Sequence, residues 1–377
     1  MKQLNNPFVV YGYKGAAYFC DRKAETEKVV KGLSNERNIT LIAPRRIGKT
    51  GLIHHVFSHI REEQPNVCCI YFDILATKTL EQFVQLMARN ILGRLDTPTQ
   101  AALHKIQDFF SGFRPTMTFD NVSGMPTFSL DIVPNQEEQS LQRIFEYLRQ
   151  SEKRCYIAID EFQQILKYPK AGTEALLRSF IQFVPNVYFI FAGSQQHMMS
   201  DMFLSPERPF YQGSQIVMLH EIEEPVYFDF AKTFFTRRGQ QLQQSVFHYL
   251  YDKVDGQTWY LQAVLNRVYS NQQEEITETD VNQAIQELLD EQEIAFENYY
   301  LSLTTNQAAL LVAIAKEQAV KSPLSQPFIQ KHHLPALSSI STALKSLTES
   351  QFVYQYRGAY IVYDRFFGMW LNERVEH

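Results

Sequence analysis

The sequence has few of the features that mark secreted or membrane-spanning proteins. Only four of its 377 residues are cysteine (Cys20, Cys68, Cys69 and Cys155), and none stands in a Cys-x-x-Cys pair. We interpret them as small core residues of a protein in a reducing compartment. No apolar run approaches the roughly 18 residues that a membrane-spanning helix needs, and the first residues lack a signal-peptide apolar segment. We therefore expect a cytoplasmic protein with no membrane partner.

Excess positive charge is also missing. The formal net charge is −5, so no overall basic field attracts nucleic acid. With 45% hydrophobic and 20% charged residues the composition is that of an ordinary globular protein. The length suffices for two or three domains.

A short apolar run, a tight turn and a helical pattern meet at residues 40–50. The segment reads Thr40-Leu-Ile-Ala-Pro-Arg-Arg-Ile-Gly-Lys-Thr50, and apolar residues then recur at helical spacing from Leu52 to Ile60. A strand, a Gly-Lys-Thr turn and a helix are typical of a phosphate-binding loop, because N–H groups and the helix dipole attract an anion there. Ala43 replaces the first glycine of the usual pattern. The alternative is a chance Gly-Lys-Thr at a helix start.

This pattern assigns roles to three residues. Lys49 is expected to reach the β- and γ-phosphates of ATP, and the hydroxyl of Thr50 to bind Mg²⁺. Gly48 lets the backbone approach the phosphates without a Cβ. The residues predicted to bind the nucleotide are Pro44, Arg45, Arg46, Ile47, Gly48, Lys49, Thr50 and Gly51.

An apolar strand from Arg154 ends in two adjacent acids, Asp160 and Glu161. We expect Asp160 to hold Mg²⁺ and Glu161 to act as the catalytic base that polarises a water. The strand predicted at 67–73 lies between the loop strand and the acidic strand in the chain. That order indicates the additional-strand class of P-loop ATPases. Chance placement of the two acids is the alternative.

Two further polar positions are candidates for catalysis. Ser194 and Gln195 end the apolar strand 187–194, at the edge where open α/β sheets bind ligands. We predict them as γ-phosphate sensors, with an ordinary polar turn as the alternative. Arg208 is expected to be exposed and to act in trans as an arginine finger, although a simple surface arginine is the competing interpretation.

The pattern of elements divides the chain into three domains. Residues 1–219 form the ATPase core, with an insertion at about 95–137 that contains a predicted antiparallel hairpin. Residues 220–302 form a helical lid, in which Thr277 caps a helix with Asp280 three residues on. Residues 303–377 are predicted as three helices and a hairpin, a winged helix-turn-helix. His332 and His333 end its second helix, and we expect a capping or surface role there rather than a metal.

Several motifs together resemble the predicted P-loop ATPases often called the archaeal ATPase family, which also occur in Bacteroides-like bacteria. The motifs are Phe19-Cys-Asp-Arg22, Pro44-Arg-Arg-Ile-Gly-Lys-Thr50, Ile159-Asp-Glu-Phe-Gln163, Ala192-Gly-Ser194, Arg208-Pro-Phe-Tyr211, Gly256-Gln-Thr-Trp259 and Tyr363-Asp-Arg-Phe-Phe…Trp370. These proteins look like members of the STAND branch of the AAA+ superfamily. The resemblance implies an α/β fold with Walker A and Walker B motifs, a helical lid and a winged helix. It also adds Arg22 to the nucleotide-binding residues.

Two departures from that family matter. STAND lids usually carry Gly-x-Pro, often with histidine at x, whereas Gly256-Gln257-Thr258 has neither residue. Many relatives also continue into a nuclease-like domain after the winged helix, and we expect no nuclease activity of this chain.

Three functions are compatible with these motifs. The first is a slow, Mg²⁺-dependent ATPase that acts as a molecular switch, with its ATP or ADP state controlling homo-oligomer assembly or a protein partner. The second is a nucleotide-gated DNA-binding regulator, and the third is a scaffold with a vestigial ATPase. We predict that the winged helix docks mainly on the ATPase core or on a protein partner rather than on DNA, because residues 304–377 carry only seven lysines and arginines against five acids.

Overall fold

The computed structural model describes residues 4–91, 94–95, 113–119, 126–132, 136–271 and 273–374. These form two compact units. The core unit holds the described residues of Val9–Tyr227 together with Gln257–Trp259. The helical unit holds those of Met1–Phe8, Phe228–Gly256 and Tyr260–His377. Most of the predicted lid therefore shares a unit with the winged helix.

A parallel β-sheet organises the core unit. Its strands alternate along the chain with helices, and five of them pair in the order β2-β5-β6-β1-β7. The strands of the unit are β1 (Ile39–Ile42), β2 (Cys68–Asp73), β3 (Phe113–Phe119), β4 (Pro126–Ile132), β5 (Cys155–Asp160), β6 (Val187–Gly193) and β7 (Gln215–Met218). Every residue of β1, β5 and β6 is buried, as expected for strands covered on both faces.

Helices cover both faces of this sheet. They are α1 (Lys23–Ser34), α2 (Lys49–Glu63), α3 (Leu80–Ile91), α4 (Glu137–Gln150), α5 (Thr173–Ile181) and α6 (Gln196–Leu204). Apolar residues of α1 and α2 share one buried cluster with one set of strand side chains. Those of α3 to α6 share a second cluster with the other set. The result is a three-layer α/β core, as the sequence predicts.

The additional strand between the loop strand and the acidic strand is not the one predicted from the sequence. The strand at the predicted position 67–73, β2, lies at the edge of the sheet and pairs with β5. The strand between β1 and β5 is β6, which pairs with both. Chain order alone does not reveal this, because a crossover connection can place the next strand on either side.

The predicted hairpin in the insertion is present. Strands β3 and β4 pair antiparallel, with Thr116 opposite Ser129. The turn predicted between them falls largely on residues 120–125, which lie outside the described residues.

Two helices that start in the core unit continue into the helical unit, namely α7 (Glu224–Arg237) and α9 (Thr258–Ser270). Between and after them come α8 (Gln244–Lys253), α10 (Glu278–Leu301) and the short parallel strands β8 (Gln241–Leu242) and β9 (Glu275–Ile276). The predicted cap is correct, since Thr277 and Asp280 exchange hydrogen bonds as a capping box.

The winged helix occupies the end of the chain. Its elements are α11 (Thr305–Glu317), α12 (Gln326–Lys331), α13 (Leu337–Glu349), β10 (Val353–Tyr356), β11 (Ala359–Val362) and α14 (Arg365–Arg374). Strands β10 and β11 form the predicted wing, and Val320 adds a bridge to Tyr360. His332 is the C-cap residue of α12, and its ring bonds the Glu317 carboxylate at 2.9 Å. In the part of the chain that the structure describes, no helix combines the length and apolarity of a membrane span.

Candidate functional site

The loop between β1 and α2 has a backbone shaped for an anion. Helix α2 begins at Lys49, and Gly48 precedes it with a φ of 95°. Arg46 also has a positive φ, 67°. Left-handed residues within a turn direct successive N–H groups towards one point, which makes a concavity for a phosphate. The structure thus supports the predicted position of a phosphate-binding loop.

Lys49 lies at the centre of a buried polar cluster. Its side chain is 6% exposed, and its ammonium contacts the Asp160 carboxylate and donates to Glu161 Oε1 at 3.0 Å. The hydroxyl of Thr50 donates to Asp160 Oδ2 at 2.8 Å. Four residues predicted from separate motifs therefore meet where β5 ends beside the start of α2.

Glu161 is held on both carboxylate oxygens. Oε2 accepts hydrogen bonds from the Ser194 hydroxyl and the Gln163 amide, each at 2.6 Å, while Oε1 faces Lys49. The backbone of Glu161 is left-handed, with a φ of 56°. Such a conformation costs a non-glycine residue about 1–3 kcal/mol and is concentrated at functional sites.

The electrostatics of the two acids favour their charged forms. Burial opposes the ionisation of Asp160, but the charge of Lys49 and hydrogen bonds from Lys49, Thr50 and the Glu161 amide lower its pKa. Burial likewise opposes the ionisation of Glu161, and Lys49, Ser194 and Gln163 together lower its pKa. Both are therefore carboxylates at neutral pH, as a metal ligand and a base require.

Two residues that were not predicted as site residues also contact these acids. Gln163 stands in the quoted Ile159–Gln163 motif and bonds Glu161. Tyr71 donates its hydroxyl to Asp160 Oδ2 at 3.1 Å. In the sequence, only its position near the end of an apolar strand could have suggested a role for Tyr71. The pairing of β2 with β5 is what brings it to Asp160.

Three groups from other segments donate hydrogen bonds to backbone carbonyls of the loop. Arg22, 3% exposed, donates to the carbonyl of Ile47 at 3.1 Å and to that of His220 at 2.6 Å. Thr258 Oγ1 donates to the same Ile47 carbonyl at 3.2 Å, and the Trp259 amide to the Arg46 carbonyl at 2.9 Å. Arg22 therefore stabilises the loop through a backbone carbonyl in this structure. The Gln257–Trp259 segment also contacts the loop, although it lacks the Gly-x-Pro of STAND lids.

The remaining residues of the loop that were predicted to bind nucleotide differ in what they can offer a ligand. The side chains of Pro44 and Ile47 are buried, so these residues can offer only backbone groups. Arg45 donates to the Ser194 hydroxyl at 3.3 Å, and the Arg46 guanidinium lies 4.4 Å from the ring centre of Trp259. A Cβ at Gly51 would lie 3.2 Å from the ring of Phe19, which leaves little room for a larger residue.

The other catalytic candidates have partners of their own. The Ser194 hydroxyl is bonded to Glu161, and Gln195 precedes α6 as its N-cap residue. Arg208 is only 28% exposed and pairs with Glu174 at 3.0 Å and Asp201 at 3.4 Å. The expectation that Arg208 is freely exposed is therefore wrong, because two acids of its own unit hold it. Burial raises the pKa of Glu174, against the opposing charge of Arg208.

The donor set of Thr50 and Asp160 fits a magnesium ion. Mg²⁺ takes oxygen ligands and usually binds through one or two protein groups, with phosphate and water completing the shell. No group of three or more histidines, cysteines and acids that would form an all-protein metal cage occurs among the described residues. Thr50 and Asp160 could supply protein oxygens to such an ion, with phosphate and water completing its shell.

The fold and this cluster define a P-loop ATPase. Residues 19–264 match the family described as "ATPase domain predominantly from Archaea", and residues 294–373 match a "probable winged helix domain". The chain belongs to this archaeal-type ATPase family, which confirms the resemblance found in the sequence. Among curated proteins, none matches the chain.

Solved structures with the same fold cover almost the whole chain. The Walker-type ATPase of Pyrococcus abyssi superposes with a TM-score of 0.64 at 17% identity, over 97% of this chain and 99% of that one. The Aeropyrum pernix ORC2 protein, in ADPNP–ADP complexes, gives 0.57 at 15% identity over 93% and 92%. The Aeropyrum pernix ORC1 protein, in complex with DNA, gives 0.55 at 13% identity over 98% and 96%.

Proposed function

We propose that this protein binds ATP with Mg²⁺ and hydrolyses it to ADP and phosphate. The observation that carries the proposal is the buried Lys49 at the start of α2, in contact with both Asp160 and Glu161. Replacing a whole buried ion cluster by apolar residues is often neutral or stabilising, so stability alone is a weak reason for a buried cation and two ionised acids at a helix N-terminus. Membership of an ATPase family supports the same conclusion.

Each residue of the cluster then has a chemical role. Lys49 and the loop N–H groups bind the phosphates and stabilise the charge that develops on them during transfer. Thr50 and Asp160 hold Mg²⁺, which when bound neutralises phosphate charge. Glu161 accepts a proton from the attacking water as the water oxygen bonds to the γ-phosphorus and ADP leaves.

The contacts of Glu161 favour slow turnover. Its Oε2 already accepts two hydrogen bonds, from Ser194 and Gln163, and these bonds stabilise the carboxylate and lower its pKa. A carboxylate stabilised in this way is a weak base until one bond is released. We therefore assign Ser194 and Gln163 to positioning Glu161. A γ-phosphate contact by Ser194 would require its hydroxyl to leave Glu161 first.

The test is phosphate release by the full chain. Glu161→Gln keeps the shape and removes the base, so ATP binding should remain while phosphate release falls about 10²-fold or more. Lys49→Ala should abolish binding. Glu138→Gln, an exposed acid at the start of α4, is the matched control and should match wild type. Wild-type release by Glu161→Gln would exclude Glu161 as the base, and binding by Lys49→Ala at wild-type affinity would exclude the loop.

We further propose a switch of the STAND type, in which the nucleotide controls assembly or the binding of a protein partner. The slow turnover inferred from the contacts of Glu161 would suit such a switch, because a switch must keep its bound state for longer than the partner needs. Glu161→Gln should then hold the ATP-bound assembly or partner complex, and ADP should release it. Equal mass distributions in ATP and ADP by light scattering, with equal partner capture, would argue for a vestigial ATPase scaffold.

DNA binding is the second candidate, supported by a similar structure determined in complex with DNA. The surface of α13, the helix that would enter a major groove, argues against it. Its one cation, Lys345, lies 3.9 Å from Glu349, and Ser346 accepts a hydrogen bond from Gln307. Base and phosphate recognition usually draws on several free cations and polar groups. We therefore favour a protein partner for the winged helix.

A further inference from the structure

Two cysteines begin neighbouring strands of the core sheet. Cys68 is the first residue of β2, and Cys155 is the first residue of β5. In the parallel pairing of these strands the two are direct partners. Residues opposite each other in a sheet project to the same face, and both side chains pack with the same apolar cluster. The chain thus brings together two thiols that are 87 positions apart in the sequence.

The spacing suits a covalent link. Neighbouring strands lie about 4.8 Å apart, which falls inside the roughly 4.4–6.8 Å between Cα atoms that a disulfide spans. Cys69, the next residue of β2, projects to the other face and belongs to the other cluster. Strand geometry therefore selects Cys68, and not Cys69, as the partner of Cys155.

We propose that Cys68 and Cys155 form a reversible disulfide, with Cys68 as the thiol that reacts first and Cys155 as the thiol that resolves the product. Cys68 is partly exposed at the sheet edge, whereas Cys155 is fully buried behind it. An oxidant can therefore reach only the Cys68 sulfur. A thiol pair of this kind in a reducing compartment is typically a redox sensor.

The charges around the two thiols support this order. A hydrogen bond from Cys155, with the cations Lys153, Arg94 and Arg61 near Cys68, outweighs burial and lowers the pKa of Cys68 to about 7. The hydrogen bond to Cys68 and burial raise the pKa of Cys155. Because the thiolate is the reactive form, Cys68 is the nucleophile at neutral pH.

With a peroxide as oxidant the chemistry balances. The Cys68 thiolate attacks one peroxide oxygen, an S–O bond forms, the O–O bond breaks and hydroxide leaves. The Cys155 sulfur then displaces the oxygen from Cys68, forming the S–S bond and losing its own proton, and water leaves. Two electrons pass from the two sulfurs to the peroxide. A dithiol reductant reverses the step by thiol–disulfide exchange.

The other two cysteines provide matched controls. Burial raises the pKa of both Cys20 and Cys69 to about 12. Neither is partnered with a second cysteine across the described strand pairs. The double variant Cys20→Ser/Cys69→Ser retains only the proposed pair. Cys68→Ser removes the reactive thiol, and Cys155→Ala removes the resolving one.

The experiment is hydrogen peroxide treatment of the full chain under native conditions, followed by intact mass and peptide mapping. We expect wild type and Cys20→Ser/Cys69→Ser to lose the mass of two hydrogens and to yield one linked peptide joining Cys68 and Cys155. Dithiothreitol should restore both thiols. Cys155→Ala should accumulate the sulfenic acid at Cys68, which dimedone traps, and Cys68→Ser should not react.

Three results would overturn the proposal. One is wild type that keeps the Cys68 and Cys155 thiols reduced at peroxide concentrations that oxidise free cysteine. Another is Cys68 oxidised to a sulfinic acid in wild type with Cys155 still reduced. The third is a linked peptide that contains Cys20 or Cys69. Peptide mapping of wild type alone distinguishes these, so the conclusion does not depend on the folding of any variant.

Discussion

Removing the ammonium of Lys49 should destabilise the core unit by an amount that depends on pH. The ammonium contacts two carboxylates, and all three side chains are at most 9% exposed. Lys49→Ala leaves both acids buried without their cation. Breaking a buried ion pair by removing one partner costs about 3–5 kcal/mol, and we expect a loss in that range at pH 7.5.

The structure contains a matched control for this experiment. Lys170 also faces two consecutive acids, at 3.1 Å from Glu137 and 2.7 Å from Glu138, but it lies at the surface with 36% of its side chain exposed. Exposed ion pairs contribute only about 0–1 kcal/mol. Lys170→Ala should therefore change the stability of the same unit very little.

The pH dependence follows from the direction of the pKa shifts. Folding lowers the pKa of Asp160 and Glu161, so their contribution to stability is present above the unfolded pKa values and is lost as pH falls through the folded ones. Without Lys49 both acids lose the charge that most lowers their pKa while burial remains, so we expect both pKa values to rise relative to wild type and the variant to gain less stability as pH rises. The gap between wild type and variant should widen from about pH 5 to about pH 8.

Tryptophan fluorescence can isolate the core unit. The sequence has two tryptophans, Trp259 in the core unit beside Arg46 and Trp370 in the helical unit. A Trp370→Phe background leaves Trp259 as the reporter in urea titrations. Adding Glu161→Gln to Lys49→Ala should recover part of the loss, because it removes one unpaired acid. An equal loss in Lys49→Ala and Lys170→Ala, or a gap that does not change with pH, would refute the reasoning.

Three further outcomes are expected. Thr258→Val should loosen the loop by removing one of two hydrogen bonds to the Ile47 carbonyl. In an equilibrium titration we expect ATP affinity to fall by a factor of roughly 5–10, equivalent to about 1 kcal/mol. Thr258→Ser keeps the hydroxyl and is the control. Arg208→Ala should lower turnover only if the chain assembles, and mixing it with Lys49→Ala should restore phosphate release; no rescue in a confirmed assembly would leave Arg208 as the partner of Glu174 and Asp201. Duplex DNA should bind in anisotropy titrations with a Kd of about 10⁻⁶ M or weaker at physiological salt, and nanomolar binding lost in Lys345→Glu would favour the regulator.

Local sequence predicted much of this protein because its signals are local in physical origin. Apolar runs marked the strands, helical periodicity marked α2 and α13, and the Thr277 box marked the start of α10. A phosphate-binding loop needs glycine, lysine and threonine in consecutive positions, so it can be recognised from the sequence without knowledge of the fold. The same holds for an acidic pair at the end of an apolar strand.

Strand order and partner choice were decided by tertiary structure. The position of β6 between β1 and β5 brings Ser194 to Glu161, and the edge position of β2 brings Tyr71 to Asp160 and Cys68 to Cys155. No periodicity in the chain encodes which strands are neighbours, because a crossover can return on either side. The partners of Arg22 and Arg208 could not be predicted from the sequence for the same reason. Each arginine contacts a segment that lies outside its own motif.

The sequence by itself therefore predicted the type of protein, the residues proposed to carry its chemistry and the elements on which they lie. Only the tertiary structure decided which of those residues touch, which donate to the carbonyls of the loop and which bond Glu161. The physical reason is that side-chain identity sets what a group can do, whereas burial and neighbours set its charge, its partners and its pKa.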